Sequence, residues 1–263
     1  MVNVVLITLK GIFRDRIFHG ILMTALVFLL IPSIASLSMR QVTELSITLS
    51  LSLISFILLL LSVFLGGTSL WKDIDRRYTF SVLGLPLTRG EYLIGRFGGN
   101  AFFLVLVSLV LGAAAFAVVY VASFIYPADR PVIWVNMALS ILFDVMKYIL
   151  LIAIAFLFST VSTSFFLPVF GTIAIFLVGG VTQQVVEYIN SAAGKNLPTI
   201  VKQSVIGLYY ILPNFNAFDL KVNAVYGLPL SIPGLFLTTG YFVIYTGIIL
   251  AISVVVFSRR EMR

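Results

Sequence analysis

The sequence contains no cysteine and a single histidine, His19. Without cysteine there is no disulfide, no thiolate metal site and no cysteine nucleophile. A lone histidine beside an apolar run reads as an interfacial residue, not as a ligand or a general base. No G-x-x-x-x-G-K-[ST] occurs, and the glycine pairs Gly66-Gly67, Gly98-Gly99 and Gly179-Gly180 lie at or inside apolar runs instead of after a strand. H-E-x-x-H and G-x-S-x-G are missing too, and no two carboxylates stand at catalytic spacing. The expectation is a non-catalytic chain with no cofactor or metal of its own.

Charge is equally scarce. Only 10% of the 263 residues are charged, whereas 60% are apolar, and the mean hydropathy is +1.13, far beyond the range of a domain dissolved in water. About 20 apolar residues in a helix cross the roughly 30 Å hydrocarbon layer. Residues 17–39, 45–71, 97–128, 148–186 and 222–258 carry no formal charge. The 148–186 run is too long for one crossing. The stretch Ser159-Thr160-Val161-Ser162-Thr163-Ser164, followed by Pro168, divides it with capping and helix-start chemistry. The pattern predicts an all-α polytopic membrane protein, one domain over 1–263, with six transmembrane helices at about 18–39, 45–70, 98–125, 132–160, 166–189 and 233–258. A signal peptide fits the first run poorly, because it is long, lacks a small-residue cleavage pattern and is followed by five more.

The net charge of +7 reports topology, not a nucleic-acid partner. Lys10, Arg14, Arg16, Lys72, Arg76, Arg77, Arg89, Arg96, Arg259, Arg260 and Arg263 fall on one side of a six-crossing arrangement. Arg40, Arg130, Lys195, Lys202 and Lys221 fall on the other, in loops that hold more residues. By the positive-inside rule both termini are expected in the cytoplasm.

Three segments are expected to do more than connect. Residues 1–16 set Val4, Val5, Ile7, Leu9, Ile12 and Phe13 against Lys10, Arg14 and Arg16, which reads as an interfacial helix; the plainer alternative is a basic start that only fixes orientation. The cytoplasmic segment 71–97 mixes charges of both signs with turn residues. Its Lys72-Asp73-Ile74-Asp75-Arg76-Arg77 run can continue the second helix. Leu85-Pro86 breaks it, and Thr88 can N-cap a short helix over 89–94. That helix presents a face to a soluble partner or lies in the lipid headgroups. The outer segment 190–232 is long for a loop and unusually apolar, and Pro198, Pro213, Pro229 and Pro233 cut it into pieces. Short helices on or dipping into the outer leaflet fit it better than two more crossings, because Lys202, Asp219 and Lys221 are costly to insert.

Asp144 and Lys147 are charged residues inside a predicted span, and their i, i+3 spacing puts them on one helical face. Intramembrane charges face protein or water. Either the pair lines a substrate path or subunit interface, or it is a self-neutralised pair that sets the depth of the helix.

With these features in place, the sequence resembles the ABC-2-type permeases, the membrane subunits of many bacterial ABC exporters, and in particular the six-helix branch that includes the nitrous-oxide-reductase maturation permease. The amphipathic start looks like that family's elbow helix. The run from Asp73 through Leu83-Gly84-Leu85-Pro86-Leu87-Thr88-Arg89-Gly90-Glu91-Tyr92 to Gly95-Arg96 looks like its charged run, "L-x-x-P-[IVL]-[ST]-R", acidic-aromatic pair and "G-[KR]". Pro213-Asn214-Phe215-Asn216-Ala217-Phe218-Asp219 is similar to "P-N-x-x-x-F-D", and Phe257-Ser258-Arg259-Arg260-Glu261 to "F-x-[RK]-[RK]-[DE]". Where many members carry an acidic residue within 67–72, Asp73 and Asp75 take its place.

The resemblance implies a homodimer in the inner membrane. Each copy receives an ATPase subunit, which carries ATP and magnesium, against the loop between the second and third helices. Asp73, Asp75, Arg76, Arg77, Pro86, Thr88, Arg89 and Glu91 become the expected coupling residues. Two alternatives stand beside it. One is a membrane anchor or mechanotransmitting ABC subunit that acts on periplasmic partners; the other, a secondary transporter, lacks the expected related halves and dispersed ionisable groups.

Overall fold

The computed structural model describes residues 2–14, 42–75, 88–126, 131–191 and 198–259, with isolated positions at 20, 23, 26, 30, 33 and 34. Eight α-helices and one 3₁₀ turn make up the described chain, and no strand occurs among the described residues. They are α1 (Val2–Arg14), α2 (Val42–Asp75), α3 (Arg89–Ile125), α4 (Trp134–Val161), α5 (Phe166–Asn190), α6 (Thr199–Ile211), the 3₁₀ turn Phe215–Phe218, α7 (Lys221–Tyr226) and α8 (Ile232–Arg259).

Five of these, α2, α3, α4, α5 and α8, are long and apolar enough to cross a membrane. They match five of the six expected spans. The sixth, at 18–39, lies almost wholly outside the described residues, as do Arg76, Arg77 and Pro86 and the end of the chain from Arg260. The Ser-rich division falls where the sequence put it. Ser162 N–H closes α4 on Phe158 O at 2.9 Å, its Oγ donates to Ser164 O at 2.6 Å and accepts from Ser164 N–H at 3.0 Å, and Pro168 sits in the first turn of α5.

One expected element is not separate. The short helix over 89–94 is the first turns of α3, which runs unbroken for 37 residues from Arg89. The Thr88 cap forms, but no proline follows it before Ile125 to stop the helix, and Gly99, a weak helix former, stands where a Cβ would meet Thr8 of α1 at 2.7 Å. The surface-parallel piece expected there is thus part of a helix long and apolar enough to cross a membrane.

α4 is the centre of the bundle. It contacts α2, α3, α5, α7 and α8, and from Leu150 to Phe156 it is buried on every side. α2 packs on it most extensively, and the reason is visible at Gly66. A Cβ there would stand 2.8 Å from Ala155 Cβ and 3.3 Å from Ile152 Cα, so only glycine lets the two backbones come this close, as small residues do between membrane helices. Ser55 Oγ and the Tyr148 hydroxyl bond across the same interface at 2.7 Å. The outer faces of α3, α5 and α8 expose Phe102, Leu109, Phe170, Phe236 and Leu237. A surface of that kind is stable against hydrocarbon and not against water.

Lys72, Arg89, Arg96 and Arg259 gather where α2, α4 and α8 end and α3 and α5 begin, here termed the basic end. α1 packs beside it on α3, burying Val4, Thr8 and Ile12 at i, i+4, i+8 spacing. Its other face leaves Leu6 and Ile7 exposed.

At the far end the outer segment forms short pieces, as its prolines suggested, and it folds inward. The Pro213 carbonyl would lie 2.5 Å from a Cβ on Gly179, eleven residues before the end of α5, or about 16 Å along the axis at 1.5 Å per residue. Phe215 packs on Phe176 with the rings tilted at 44° and centroids 5.6 Å apart, and Phe218 is fully buried beside Tyr241. Asn214 N–H donates to the Tyr241 hydroxyl at 3.1 Å, and its side-chain amide donates to Gln183 Oε1 at 3.1 Å. Gly227, with φ of 63°, supplies the left-handed residue that ends α7.

Candidate functional site

Residues 76–87 connect α2 to Thr88 in the sequence, and the described residues on either side are fastened to each other. At the return, Thr88 and Glu91 form a capping box. Thr88 Oγ1 accepts from Glu91 N–H at 3.2 Å, and Glu91 Oε2 accepts from Thr88 N–H at 2.9 Å and from its hydroxyl at 3.0 Å. The T-x-x-E spacing forces this, because two of the orphan N–H groups of a helix start are satisfied at once. The carboxylate also sits at the positive end of the helix dipole.

At the departure, Asp73 turns inward from the last turns of α2. Its Oδ2 accepts from the Tyr92 hydroxyl at 2.5 Å and from Arg96 Nε at 2.6 Å, and Arg96 Nη2 completes an ion pair with the same oxygen. Tyr92 and Arg96 are one helical turn apart on α3, so a single face of α3 delivers both donors. Asp73 is 7% exposed. Charge-assisted bonds of this length are about twice as strong as neutral ones, and the low-dielectric surroundings make their loss costly. The ends of the loop are thereby tied to each other, α2 to α3.

A further tie reaches α8. Arg89 Nη1 donates to the Ser258 carbonyl at 3.2 Å, and Trp71 Nε1 donates to the Thr163 carbonyl at 3.3 Å on the opposite side. The basic end is therefore a platform of helix termini joined by side chains.

Of the residues singled out in the sequence, Asp73 is placed inside this network, Thr88 and Glu91 in the cap and Arg89 on α8. Asp75 ends α2, with its backbone described. Arg76, Arg77 and Pro86 are outside the described residues. Sequence reasoning missed Tyr92 and Arg96 as partners of Asp73. The signal was present: an i, i+4 donor pair at the start of a helix, facing a carboxylate at the end of its antiparallel neighbour.

The second candidate, Asp144 with Lys147, lies away from the platform. The two are ion-paired and deeply buried, at 1% and 5% exposure, on the α4 face that also carries Asn136 and Ser140. Asn136 binds the far-end segment, its amide donating to the carbonyls of Asn223 and Leu228 at 3.0 Å each. Asp144 Oδ2 and Ser140 Oγ, one turn apart, have no hydrogen-bond partner among the described residues. The pair faces protein rather than lipid, as intramembrane charges do. No group of three metal-ligating side chains occurs among the described residues.

The fold fits the class of multi-pass membrane proteins: the described residues are all-helical, and five of the helices are long and apolar enough to cross a membrane. In comparisons with known proteins no family model matches the chain, and no curated protein matches it as a relative.

Proposed function

We propose that the chain is the membrane subunit of an ABC exporter, working as a homodimer in the bacterial inner membrane with both termini in the cytoplasm. The observation that carries the reading is the platform at the basic end. A charged loop, 76–87, is anchored at both ends to crossing helices by Asp73, Tyr92, Arg96 and the Thr88–Glu91 cap. A loop that only connected two helices would not need such fastening, whereas a loop that receives force from an ATPase does. The ordered series of sequence motifs resembling ABC-2-type permeases supports the same conclusion. In this reading α1 is the interfacial elbow, the ATPase docks on 76–87, and ATP and magnesium stay on that partner.

The inward fold of 213–226 favours this reading over a mechanotransmitter, because among the described residues these pieces pack onto α4, α5 and α8, and α6 lies against α5, so that no separate domain is built outside the bundle. The test is co-expression of the tagged full-length chain with an ATPase encoded beside its gene, purification of the complex, and measurement of ATP hydrolysis in proteoliposomes. A stable complex whose hydrolysis changes on reconstitution supports the proposal. Absence of any ATPase from the purified chain overturns it.

A further inference from the structure

Three consecutive residues at the start of α3 each restrict how it meets the end of α8. Thr88 fixes the backbone of the first turn through its capping box. Arg89, carried by that turn, donates through Nη1 to the Ser258 carbonyl at 3.2 Å. That carbonyl is among the last four of α8, which have no N–H of their own helix to accept from, and a cation there also gains from the helix dipole. Gly90 then makes room for the approach, because a Cβ on it would lie 3.0 Å from Val254 Cγ1. Phe257, between Val254 and Ser258, is fully buried, so the last turn of α8 is held by packing as well as by the guanidinium.

We infer that Arg89 is a positioning residue that clamps the end of α8 to the start of α3, so that a displacement of the loop before Thr88 moves both helices together. Arg89 then acts within the chain and not as a contact on the ATPase. The transmission step rests on the proposed exporter function; the clamp does not.

The absence of cysteine makes the test direct. Gly90→Cys adds a Cβ that lies 3.0 Å from Val254 Cγ1, the position a sulfur takes in one rotamer of Val254→Cys, and a Cβ-to-sulfur approach of about that length is what disulfide geometry requires. The rate of oxidative closure is measured in the purified chain, without ATPase, with Arg89 intact, with Arg89→Lys and with Arg89→Gln, each first shown to be folded by thermal melting. The clamp predicts closure about fivefold slower with Arg89→Gln, the factor expected for one lost hydrogen bond, and partial recovery with Arg89→Lys. Equal rates with Arg89 and Arg89→Gln overturn the clamp. In the reconstituted complex, Arg89→Gln lowers transport per ATP hydrolysed, and closing the 90–254 disulfide restores it. Failure of the closed disulfide to restore coupling overturns the transmission step. A chain that binds no ATPase refutes the exporter function instead, and the closure rates still decide the clamp.

Discussion

Arg96 meets Asp73 side-on across the basic end of the bundle, its Nε 2.6 Å from the same carboxylate oxygen that accepts the Tyr92 hydroxyl. The two residues are 23 positions apart in sequence, and the loop 76–87 lies between them. Removing one partner of a buried pair is worse than removing both, because the survivor keeps its charge without compensation. Arg96→Gln should lower stability by about 3 kcal/mol and Tyr92→Phe by about 1.5 kcal/mol. Asp73→Asn combined with Arg96→Gln should recover part of the loss. Thermal melting of the purified chain checks the order; an Arg96→Gln variant as stable as the parent would rule out the pair as a fastening.

The Asp144–Lys147 pair obeys the same asymmetry deeper in the bundle. Lys147→Met leaves a buried carboxylate that already has one oxygen unpartnered and should cost about 3 kcal/mol or more. The double variant Asp144→Leu, Lys147→Met should melt above the single. The four melting temperatures of the cycle measure the coupling.

Close helix approach predicts a compensating pair at the α2–α4 interface. Gly66→Ala places a methyl 2.8 Å from Ala155 Cβ, and overpacking of this kind costs about 1–3 kcal/mol. Ala155→Gly should return most of it. A melt that stays low in the double variant would show that the strain lies elsewhere.

The far-end segment is held down by the glycine it rests on. Gly179→Val drives side-chain atoms into the Pro213 carbonyl and should lift the Phe215–Phe218 turn together with α7. Ala224, buried on α7 at 2% exposure, is a reporter: Ala224→Cys should resist a water-soluble maleimide with Gly179 present and react with Gly179→Val. Equal labelling in both would mean that the segment is anchored by Asn136 and Tyr241 alone.

Much of this architecture is legible in the sequence, and the reason is physical. Uncharged runs of this length have one stable use, so α2, α3, α4, α5 and α8 were readable, and Ser162 with Pro168 marked the break between α4 and α5. Thr88 and Glu91 announced a cap through their spacing. What followed the cap was not legible: the sequence suggested a short separate helix over 89–94 with Arg96 beyond it, and only Asp73, supplied by another helix, makes Arg96 tolerable inside one long helix. The depth of Pro213–Phe218 was hidden for a related reason. Its apolar residues could lie on a leaflet or inside the bundle, and the choice is made by Gly179 and Tyr241, which no local pattern connects to it.

The unbroken course of α3 gives the platform a reach that a separate surface helix would lack. At 37 residues and 1.5 Å per residue it is a rod about 55 Å long, with its lower end in the hands of Thr88, Arg89 and Asp73. A stiff rod is a lever: tilting it by about 10° about its foot sweeps the tip at Ile125 sideways by roughly 9 Å. In the proposed exporter function, a movement too small to open anything at the basic end would reach the other end of α3 enlarged to the width of a helix.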